Sequence, residues 1–324
     1  MKLALIGAVH STLLTLQKLI QHGMTPHRVY GYEPDDTSQV SGYASLRAPC
    51  IEHGVAYTPF RKINAHAEEI AAAGYDLIFV IGLSQLVSEA IIASARMGCI
   101  GFHPTCLPKG RGRAPIAWLV LEENVGASTL FLIDREADAG PVFRQVPFAI
   151  LPEDDAGTIE AKALQALASA LDDWLPALKR GEWDPLPQDE RLVTEYGRRA
   201  PEDGWIDWHR DAREIDRLIK ASTRPHPGAF TFSGARRLFI WQSTIETGLA
   251  IKGVPGRILK MTSDGRALVQ ARNGLLWIND YSFGHDAAWQ EDGLRVGMRL
   301  GYCPENEIHA LRRELDLIKG RLGL

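Results

Sequence analysis

The chain has 324 residues, a length that suits two domains better than one core. Hydrophobic residues make up 45% of it and charged residues 23%, which is typical of a soluble globular protein. The formal net charge of −4 excludes a general attraction to nucleic acid or to an anionic membrane. No apolar run reaches transmembrane length, and the N-terminal run is too short for a signal peptide. We therefore expect a cytoplasmic protein without a membrane partner.

The four cysteines are scattered along the chain and show neither CxxC nor CxH spacing. They are Cys50, Cys99, Cys106 and Cys303. Because disulfide frameworks and zinc sites both need characteristic spacings, we expect no disulfide and no bound metal.

The chain opens with an apolar strand at residues 3–6, a helix, and a second strand at residues 29–32. Ser11 is placed to cap that helix at its start. This order is a βαβ opening of the Rossmann type. Gly7 is the only glycine in the turn after the first strand, so the turn lacks the fingerprint of a dinucleotide-binding site.

More strands and helices alternate up to residue 180. Strands are predicted at 55–57, at 77–81, at a run that ends at Phe102, and at 128–133 and 142–150; helices are predicted at 85–95, 115–123 and 159–175. Pro147 predicts that the last of these strands lies at an edge or is bulged. The pattern predicts one α/β domain over 1–180, with a mostly parallel, Rossmann-like sheet and helices on both faces.

The chain changes character after this domain. Polar residues with two prolines begin at residue 181, and we interpret 181–205 as a linker. Beyond it, one helix at 212–221 precedes several short alternating strands that glycine turns separate. We expect residues 206–324 to form a smaller, β-rich barrel or sandwich that ends in a helix.

The terminal helix carries apolar residues at 3,4,3,4 spacing. They are Ile308, Leu311, Leu315, Ile318 and Leu322. Two heptads are too few to predict a coiled coil. Docking on its own domain is the favoured interpretation, and contact with a second copy in a homodimer is the alternative.

His103 follows an apolar strand and begins a stretch rich in proline and glycine. Asp138 lies in a turn after another strand, 35 residues later. A histidine and a carboxylate at strand ends of an open α/β sheet are typical of a site that handles protons. His103 is the candidate proton-transfer residue and Asp138 its orienting carboxylate. The alternatives are a histidine with a structural hydrogen bond and an ordinary turn aspartate.

Two motifs resemble those of folate-dependent formyltransferases. Residues 103–115, HPTCLPKGRGRAP, look like the family's His-x-Ser-Leu-Leu-Pro-x-x-Arg-Gly signature, and residues 137–140, ADAG, look like its Asp-x-Gly element. Residues 199–208 and 224–230 are similar to the segment after the catalytic domain in two branches, the sugar-nucleotide N-formyltransferases and methionyl-tRNA formyltransferase. The Arg-Gly-Arg-Ala-Pro and Arg-Pro-x-Pro-Gly-Ala-Phe versions found here favour the sugar branch.

The resemblance implies transfer of a formyl group from N10-formyltetrahydrofolate to the amine of an amino sugar carried by a nucleotide. Three alternatives stay open. Methionyl-tRNA formyltransferase would need a basic face, which the net acidity does not favour. The other two are a formyltetrahydrofolate hydrolase and a catalytically impaired homologue that binds folate or nucleotide.

One position departs from the family pattern. The family has an asparagine two residues before the histidine, where its amide donates to the formyl oxygen, and this chain has Gly101. Losing such a donor typically costs about 10²–10³ in rate when nothing replaces it. Ser84, Gln85, Thr105 or an ordered water are the candidate replacements.

The resemblance also implies two sets of binding residues. The folate set lies mainly in two loops and comprises Leu83, Ser84, Gln85, Leu86, Arg111, Ile133, Asp134 and Ala137. The substrate set comprises His10, Ser11, Thr105, Lys109, Arg113 and Arg199. Without the family, the loops are ordinary connections and the arginines are equally well explained as solvated charges.

Overall fold

The computed structural model describes residues 1–37, 40–123, 125–234, 236–284, 293–302 and 304–322. The chain divides into two compact units, Met1–Arg199 and Ala200–Leu324. In these ranges, none of the helices combines the length and the apolar character needed to cross a bilayer.

Among the described residues, the first unit contains nine strands. They are β1 (Leu3–Gly7), β2 (Arg28–Tyr32), β3 (Ala56–Phe60), β4 (Leu77–Val80), β5 (Cys99–Thr105), β6 (Arg111–Gly112), β7 (Gly126–Leu132), β8 (Val142–Phe148) and β9 (Glu195–Tyr196). Seven of them form one sheet in the order β3-β2-β1-β4-β5-β7-β8. The first five pair in parallel, whereas β7 and β8 pair antiparallel. The predicted mostly parallel sheet is confirmed, and Pro147 lies in the edge strand β8.

Six α-helices of this unit lie in the described ranges. They are α1 (His10–Gln21), α2 (Arg47–Glu52), α3 (Ala67–Ala73), α4 (Glu89–Ile92), α5 (Pro115–Glu122) and α6 (Ala156–Lys179). Side chains alternate between the two faces of a strand, so Leu3 and Leu5 pack with α1 and α6, while Ala4 and Ile6 pack with α3 and α4. The prediction of helices on both faces is therefore confirmed.

Strand β5 extends further than the sequence predicts. The predicted strand ends at Phe102, but β5 continues through His103 to Thr105 and pairs with β7, whose Thr129 lies opposite His103. The prolines that suggested an end to regular structure are accommodated because the ladder is irregular between His103 and Thr105. The helix predicted at 85–95 is shorter, and only Glu89–Ile92 is helical.

Residues 181–199, here called the return segment, differ from the expected linker. Trp183 packs on Phe143, with ring centroids 4.6 Å apart. Leu186 pairs with Val142, and β9 pairs with β6. The composition of this segment indicated a linker because its residues are polar, but those polar groups form hydrogen bonds with the first unit. The chain leaves that unit only after Arg199.

The second unit is β-rich, as predicted. Its strands are β10 (Ala229–Ser233), β11 (Arg236–Glu246), β12 (Ile258–Met261), β13 (Ala267–Gln270) and β14 (Leu275–Phe283), and its helices are α7 (Ala212–Ser222) and α8 (Pro304–Leu322). The five strands form an antiparallel sheet in the order β10-β11-β14-β13-β12. Gly301 donates its N–H to Phe232 at one edge, and the N–H of Ile258 at the other edge donates to Met298. Residues 298–301 therefore close the sheet into a barrel.

Helix α8 does not bury its apolar stripe. Ile308, Leu311, Leu315, Ile318 and Leu322 are 50–68% exposed. The favoured expectation, a helix docked on its own domain, therefore differs from the structure. A docked helix would hide the stripe, whereas here all of the α8 side chains that the structure describes are exposed.

Candidate active site

His103 is a buried residue of β5 whose two ring nitrogens have different partners. Nε2 lies 2.9 Å from the carbonyl oxygen of Gly110. A carbonyl oxygen only accepts, so Nε2 carries the hydrogen and donates it. In the neutral ring, Nδ1 then holds the lone pair. This nitrogen lies 3.6 Å from Oδ2 of Asp138.

Asp138 reaches His103 through a loop that folds over one face of β5. Because β7 is antiparallel to β5, the end of β7 lies beside the start of β5, with Leu132 opposite Ile100. The chain therefore returns toward His103 in the connection that follows. Asp138 has φ +56°, a left-handed conformation that aspartate tolerates better than most residues. Its Oδ2 accepts the N–H of Gly112 at 2.9 Å.

Opposing influences act on the pKa of His103. Burial lowers the pKa below its usual value of 6.5 and is the largest effect, while the Asp138 carboxylate and the Gly110 carbonyl act in the opposite direction. The imidazole is therefore neutral at neutral pH. It is ready to accept a proton at Nδ1, where the carboxylate stabilises the resulting cation. Such a pair is suited to general acid–base chemistry.

Comparison with known families gives two matches. The formyl transferase model matches residues 41–174, and the model of the formyl transferase C-terminal domain matches residues 199–290. Together they span more than two thirds of the chain. The chain belongs to the formyl transferase family.

Solved structures share the fold of this formyl transferase. HypX from Aquifex aeolicus, solved in complex with tetrahydrofolic acid, is 19% identical with a TM-score of 0.63, and the match covers 88% of this chain but only 44% of HypX. WlaRD, described as a sugar 3N-formyl transferase and solved with dTDP and 5-N-formyl-THF, is 15% identical with a TM-score of 0.64; the match covers 88% of this chain and 98% of WlaRD. The N-formyltransferase from Helicobacter canadensis, solved with folinic acid and dTDP-3-aminofucose, is 15% identical with a TM-score of 0.66; the match covers 87% of this chain and all of that one.

At Gly101 the structure corrects one expectation. A Cβ built on Gly101 would lie 2.6 Å from Cζ of Phe131 and 3.1 Å from Cγ1 of Ile133. The aromatic ring of Phe131, on the neighbouring strand, occupies the space that a side chain at position 101 would take. The proposed replacement of the family asparagine by an ordered water in that space is therefore wrong.

Two of the other proposed replacements are already engaged. Thr105 donates its hydroxyl to the Gly110 carbonyl at 3.2 Å. Gln85 accepts the N–H of Ile63 at 3.0 Å and donates to the carbonyl of Arg61 at 2.8 Å. Thr105 thus holds the loop at Gly110, and Gln85 joins the loop after β4 to residues 61–63. Ser84 is exposed in the loop after β4.

Arg111, predicted to bind folate, is buried and held by the return segment. Its Nε and Nη2 donate to Oε1 of Gln188 at 3.2 and 2.9 Å, and its Nη1 and Nη2 donate to the Glu190 carboxylate at 3.2 and 2.7 Å. Four of the five guanidinium hydrogens are thus directed at protein acceptors. The structure gives Arg111 an internal role in place of the predicted one.

The remaining residues of the predicted folate set lie in two loops that differ in accessibility. In the loop after β4, Leu83 packs in the core, whereas Leu86 is 82% exposed. In the loop after β7, Ile133 packs in the same core, whereas Asp134 and Ala137 are exposed. Each loop therefore combines an anchored residue with surface that a ligand can reach.

The predicted substrate residues fall into separate groups. His10 is exposed at the start of α1, with Nδ1 3.2 Å from the Glu160 carboxylate. Ser11 is buried inside the helix, and its predicted capping role is wrong because Val9 is the N-cap residue. A Cβ on Gly82 would lie 2.8 Å from Oγ of Ser11, so Ser11 borders the loop after β4.

Three basic residues complete the predicted substrate set. Lys109 and Arg113 are exposed beside Gly110 and Gly112, the two glycines that contact His103 and Asp138. The guanidinium of Arg199 lies over the ring of Trp118, 5.5 Å from its centroid. Within the described residues, no group of three or more His, Cys, Asp or Glu side chains could hold a metal ion.

Sequence reasoning missed Gln188. Its Nε2 donates to the carbonyl oxygens of Asp138 and Gly140, at 2.8 Å each. Glutamine carries no motif here, and the composition of the segment predicts a linker. No local signal identifies a residue whose partners lie about 50 positions earlier in the chain.

Proposed function

We propose that this formyl transferase moves a formyl group from N10-formyltetrahydrofolate to the amine of a nucleotide-linked amino sugar. The observation that carries the proposal is the pair of the buried His103 and the half-buried Asp138, with Nδ1 and Oδ2 3.6 Å apart, in a chain of this family. Folate compounds in the structures of HypX, WlaRD and the Helicobacter canadensis enzyme support the donor. The dTDP and dTDP-3-aminofucose in the latter two support the class of acceptor.

The reaction exchanges one C–N bond for another. The amine nitrogen attacks the formyl carbon, the bond from that carbon to N10 of the folate breaks, the amine loses a proton, and N10 gains one. A single residue that accepts and then returns a proton can serve both nitrogens. In this proposal Nδ1 of His103 accepts the amine proton and later delivers it to the leaving nitrogen.

The neighbours of His103 suit this role. The Gly110 carbonyl holds Nε2–H and so keeps Nδ1 as the basic atom. The Asp138 carboxylate stabilises the ring when it is charged, and its own orientation is fixed by the N–H of Gly112. Burial of the His103 ring limits its contact with water, which strengthens its interaction with the Asp138 carboxylate.

The binding roles follow from accessibility. The exposed parts of the loops after β4 and β7, which include Leu86, Asp134 and Ala137, are the proposed contacts of the folate. The proposed contacts of the nucleotide sugar are Lys109 and Arg113, because exposed cations beside the site suit a diphosphate.

A second candidate function rests on Gly101. With Phe131 filling the position of the family amide, a homologue that binds folate or nucleotide without turnover is the alternative. Methionyl-tRNA is the less favoured acceptor because the chain is acidic overall. Water as the acceptor would make the protein a formyltetrahydrofolate hydrolase.

One assay separates these candidates. Purified protein is mixed with N10-formyltetrahydrofolate and, in parallel, with dTDP- and UDP-linked amino sugars, with methionyl-tRNA, or with no amine. Release of tetrahydrofolate is followed by absorbance and the formylated product by mass spectrometry. We expect release only with an amino sugar nucleotide. Release without an amine would indicate a hydrolase, and saturable folate binding without release would indicate a binding protein.

Two variants serve as controls for this assay. His103→Gln should abolish release, because glutamine cannot accept a proton near neutral pH. His209→Gln changes an exposed histidine of the second unit and should leave the rate unchanged. Equal rates in both variants would contradict the assignment of His103.

We also propose that two copies associate through α8, in place of the docking that the sequence favoured. In a parallel pair, the apolar stripe of one helix meets that of the other, and Glu314 lies beside Lys319 of the second helix. The charges therefore favour a parallel homodimer.

The cytoplasmic location stays a prediction.

A further inference from the structure

The side chain of Gln188 joins two loops that carry the partners of His103. Its Oε1 accepts two hydrogens from Arg111, and its Nε2 donates one hydrogen to Asp138 and one to Gly140. A primary amide has two donor hydrogens and two acceptor lone pairs, so every hydrogen-bonding position of this amide is used. The orientation of the amide is also determined, because a flipped amide would direct its NH2 at a guanidinium and its oxygen at two carbonyls.

The two loops are those on which the proposed proton transfer depends. Arg111 lies between Gly110, whose carbonyl accepts Nε2–H of His103, and Gly112, whose N–H donates to Asp138. On the other side, Gln188 holds the backbone at Asp138 itself, in a left-handed conformation that a flexible turn would not keep without support. The Gln188 side chain thus connects the Gly110–Gly112 loop, which holds His103 and Asp138, with the turn that carries Asp138.

The rest of the return segment fixes Gln188 in place. Thr194 accepts the N–H of Gly110 with its hydroxyl and the N–H of Arg111 with its carbonyl. Leu186, which lies two residues before Gln188, exchanges two backbone hydrogen bonds with Val142. The amide therefore projects from a segment that is anchored on either side, which is the arrangement needed to hold a reactive pair at a set distance.

We propose that Gln188 is a positioning residue that sets the separation between Nδ1 of His103 and Oδ2 of Asp138. The inference rests on the proposed function for its effect on turnover, although the geometry itself does not depend on it. Gln188 touches neither reacting group and acts through the Asp138 turn and through Arg111. Displacement of a catalytic group by about 1 Å can cost a factor of about 10² in rate.

The test compares two variants of Gln188 with a neighbouring control in the full-length protein. Gln188→Leu keeps the size but removes all four hydrogen bonds. Gln188→Glu keeps the acceptor for Arg111 but turns a carboxylate oxygen toward the carbonyls of Asp138 and Gly140. Asp189→Asn is the control, because Asp189 is bonded to Arg191 within its own turn.

We expect kcat to fall about 10- to 100-fold in both Gln188 variants, with KM values near those of the wild type and an unchanged rate in the control. A separate readout is the pKa of His103, measured by titrating its ring signals in the NMR spectrum. Asp138 raises that pKa, so a displaced carboxylate in Gln188→Leu should lower it further. The acid limb of the pH–rate profile should move to lower pH by the same amount.

A purely structural role would give a different result. If Gln188→Leu lowers the melting temperature but leaves both kcat and the pKa of His103 unchanged, the positioning role is refuted. Wild-type kcat in Gln188→Glu would refute it too, because the donors to Asp138 and Gly140 would then be dispensable. If the wild type transfers no formyl group at all, the proposed function fails, and the NMR titration still decides whether Gln188 positions the pair.

Discussion

Gly101→Asn restores the residue that the family has at this position, and the structure predicts that it destabilises the protein. A Cβ at position 101 would lie 2.6 Å from Cζ and 2.8 Å from Cε1 of Phe131, whereas ordinary contacts of this kind lie at 3.4–4 Å. The ring must therefore move by roughly 1 Å to accommodate even one added carbon. Phe131 is 4% exposed, so it has no open side toward which to move.

The loss of stability on substituting Gly101 follows from overpacking of the core. Forcing extra atoms into a packed core typically costs about 1–3 kcal/mol. An amide that is buried without a partner adds about 1–3 kcal/mol. We expect the free energy of unfolding to fall by the first amount in Gly101→Ala and by the sum of both amounts in Gly101→Asn. Formyl transfer in Gly101→Asn should fall rather than rise, because the amide cannot enter space that the ring occupies.

Urea unfolding of the first unit, followed by circular dichroism, measures these losses. Gly197→Ala is a matched control, because nothing lies within 4 Å of a Cβ built there, and it should change the free energy of unfolding by less than about 0.5 kcal/mol. Combining Gly101→Asn with Phe131→Leu should cost less than the sum of the two single changes, with a coupling of about 1–3 kcal/mol. Wild-type stability in Gly101→Asn, or strict additivity in the pair, would refute the assignment of Phe131 to this space.

Three further predictions concern the site and α8. Burial lowers the pKa of His103 in the folded protein below 6.5, so at pH values between the folded and unfolded pKa the unfolded chain binds a proton that the folded one does not. The free energy of unfolding should therefore fall as the pH drops through 6.5, and His103→Gln should flatten this pH dependence in denaturant titrations. The same variant should lower kcat about 10²–10⁴-fold. Asp138→Asn removes the charge that raises this pKa, so the acid limb of kcat/KM should move to lower pH; an unmoved limb would contradict the pairing. Leu315→Glu places a charge in the exposed stripe of α8 and should halve the mass measured by light scattering, whereas Leu317→Glu, which lies off the stripe, should not; a monomeric wild type would contradict the homodimer.

Much of the fold could be predicted because buried strands and helices have recognisable apolar patterns in the local sequence. A strand covered on both faces, such as Leu77–Val80, is a continuous apolar run, and α6 shows apolar residues at helical spacing. His103 and Asp138 are predicted in the same way, from short motifs. Strand ends are harder to predict: His103 begins a stretch that suggests a loop, yet pairing with β7 keeps it in β5.

The connection between His103 and Asp138 shows where sequence reasoning stops. The motifs predicted that the two residues meet, and they do. The two strand ends themselves do not lie at the same edge of the sheet, because β7 is antiparallel to β5. Only the register of that pair shows that Asp138 arrives through a loop that folds back over the strand.

The sequence by itself determined the mostly parallel sheet and the β-rich C-terminal part, and it singled out His103 and Asp138 as candidates, since each is encoded in residues close together in the chain. Only the tertiary structure decided what fills the space at Gly101, what holds Arg111, and that Gln188 belongs to the site. Those contacts join groups 30 to 77 positions apart. Which of many polar or apolar groups meet at such distances depends on how the whole chain satisfies its buried hydrogen bonds and fills its core, and no local pattern carries that information.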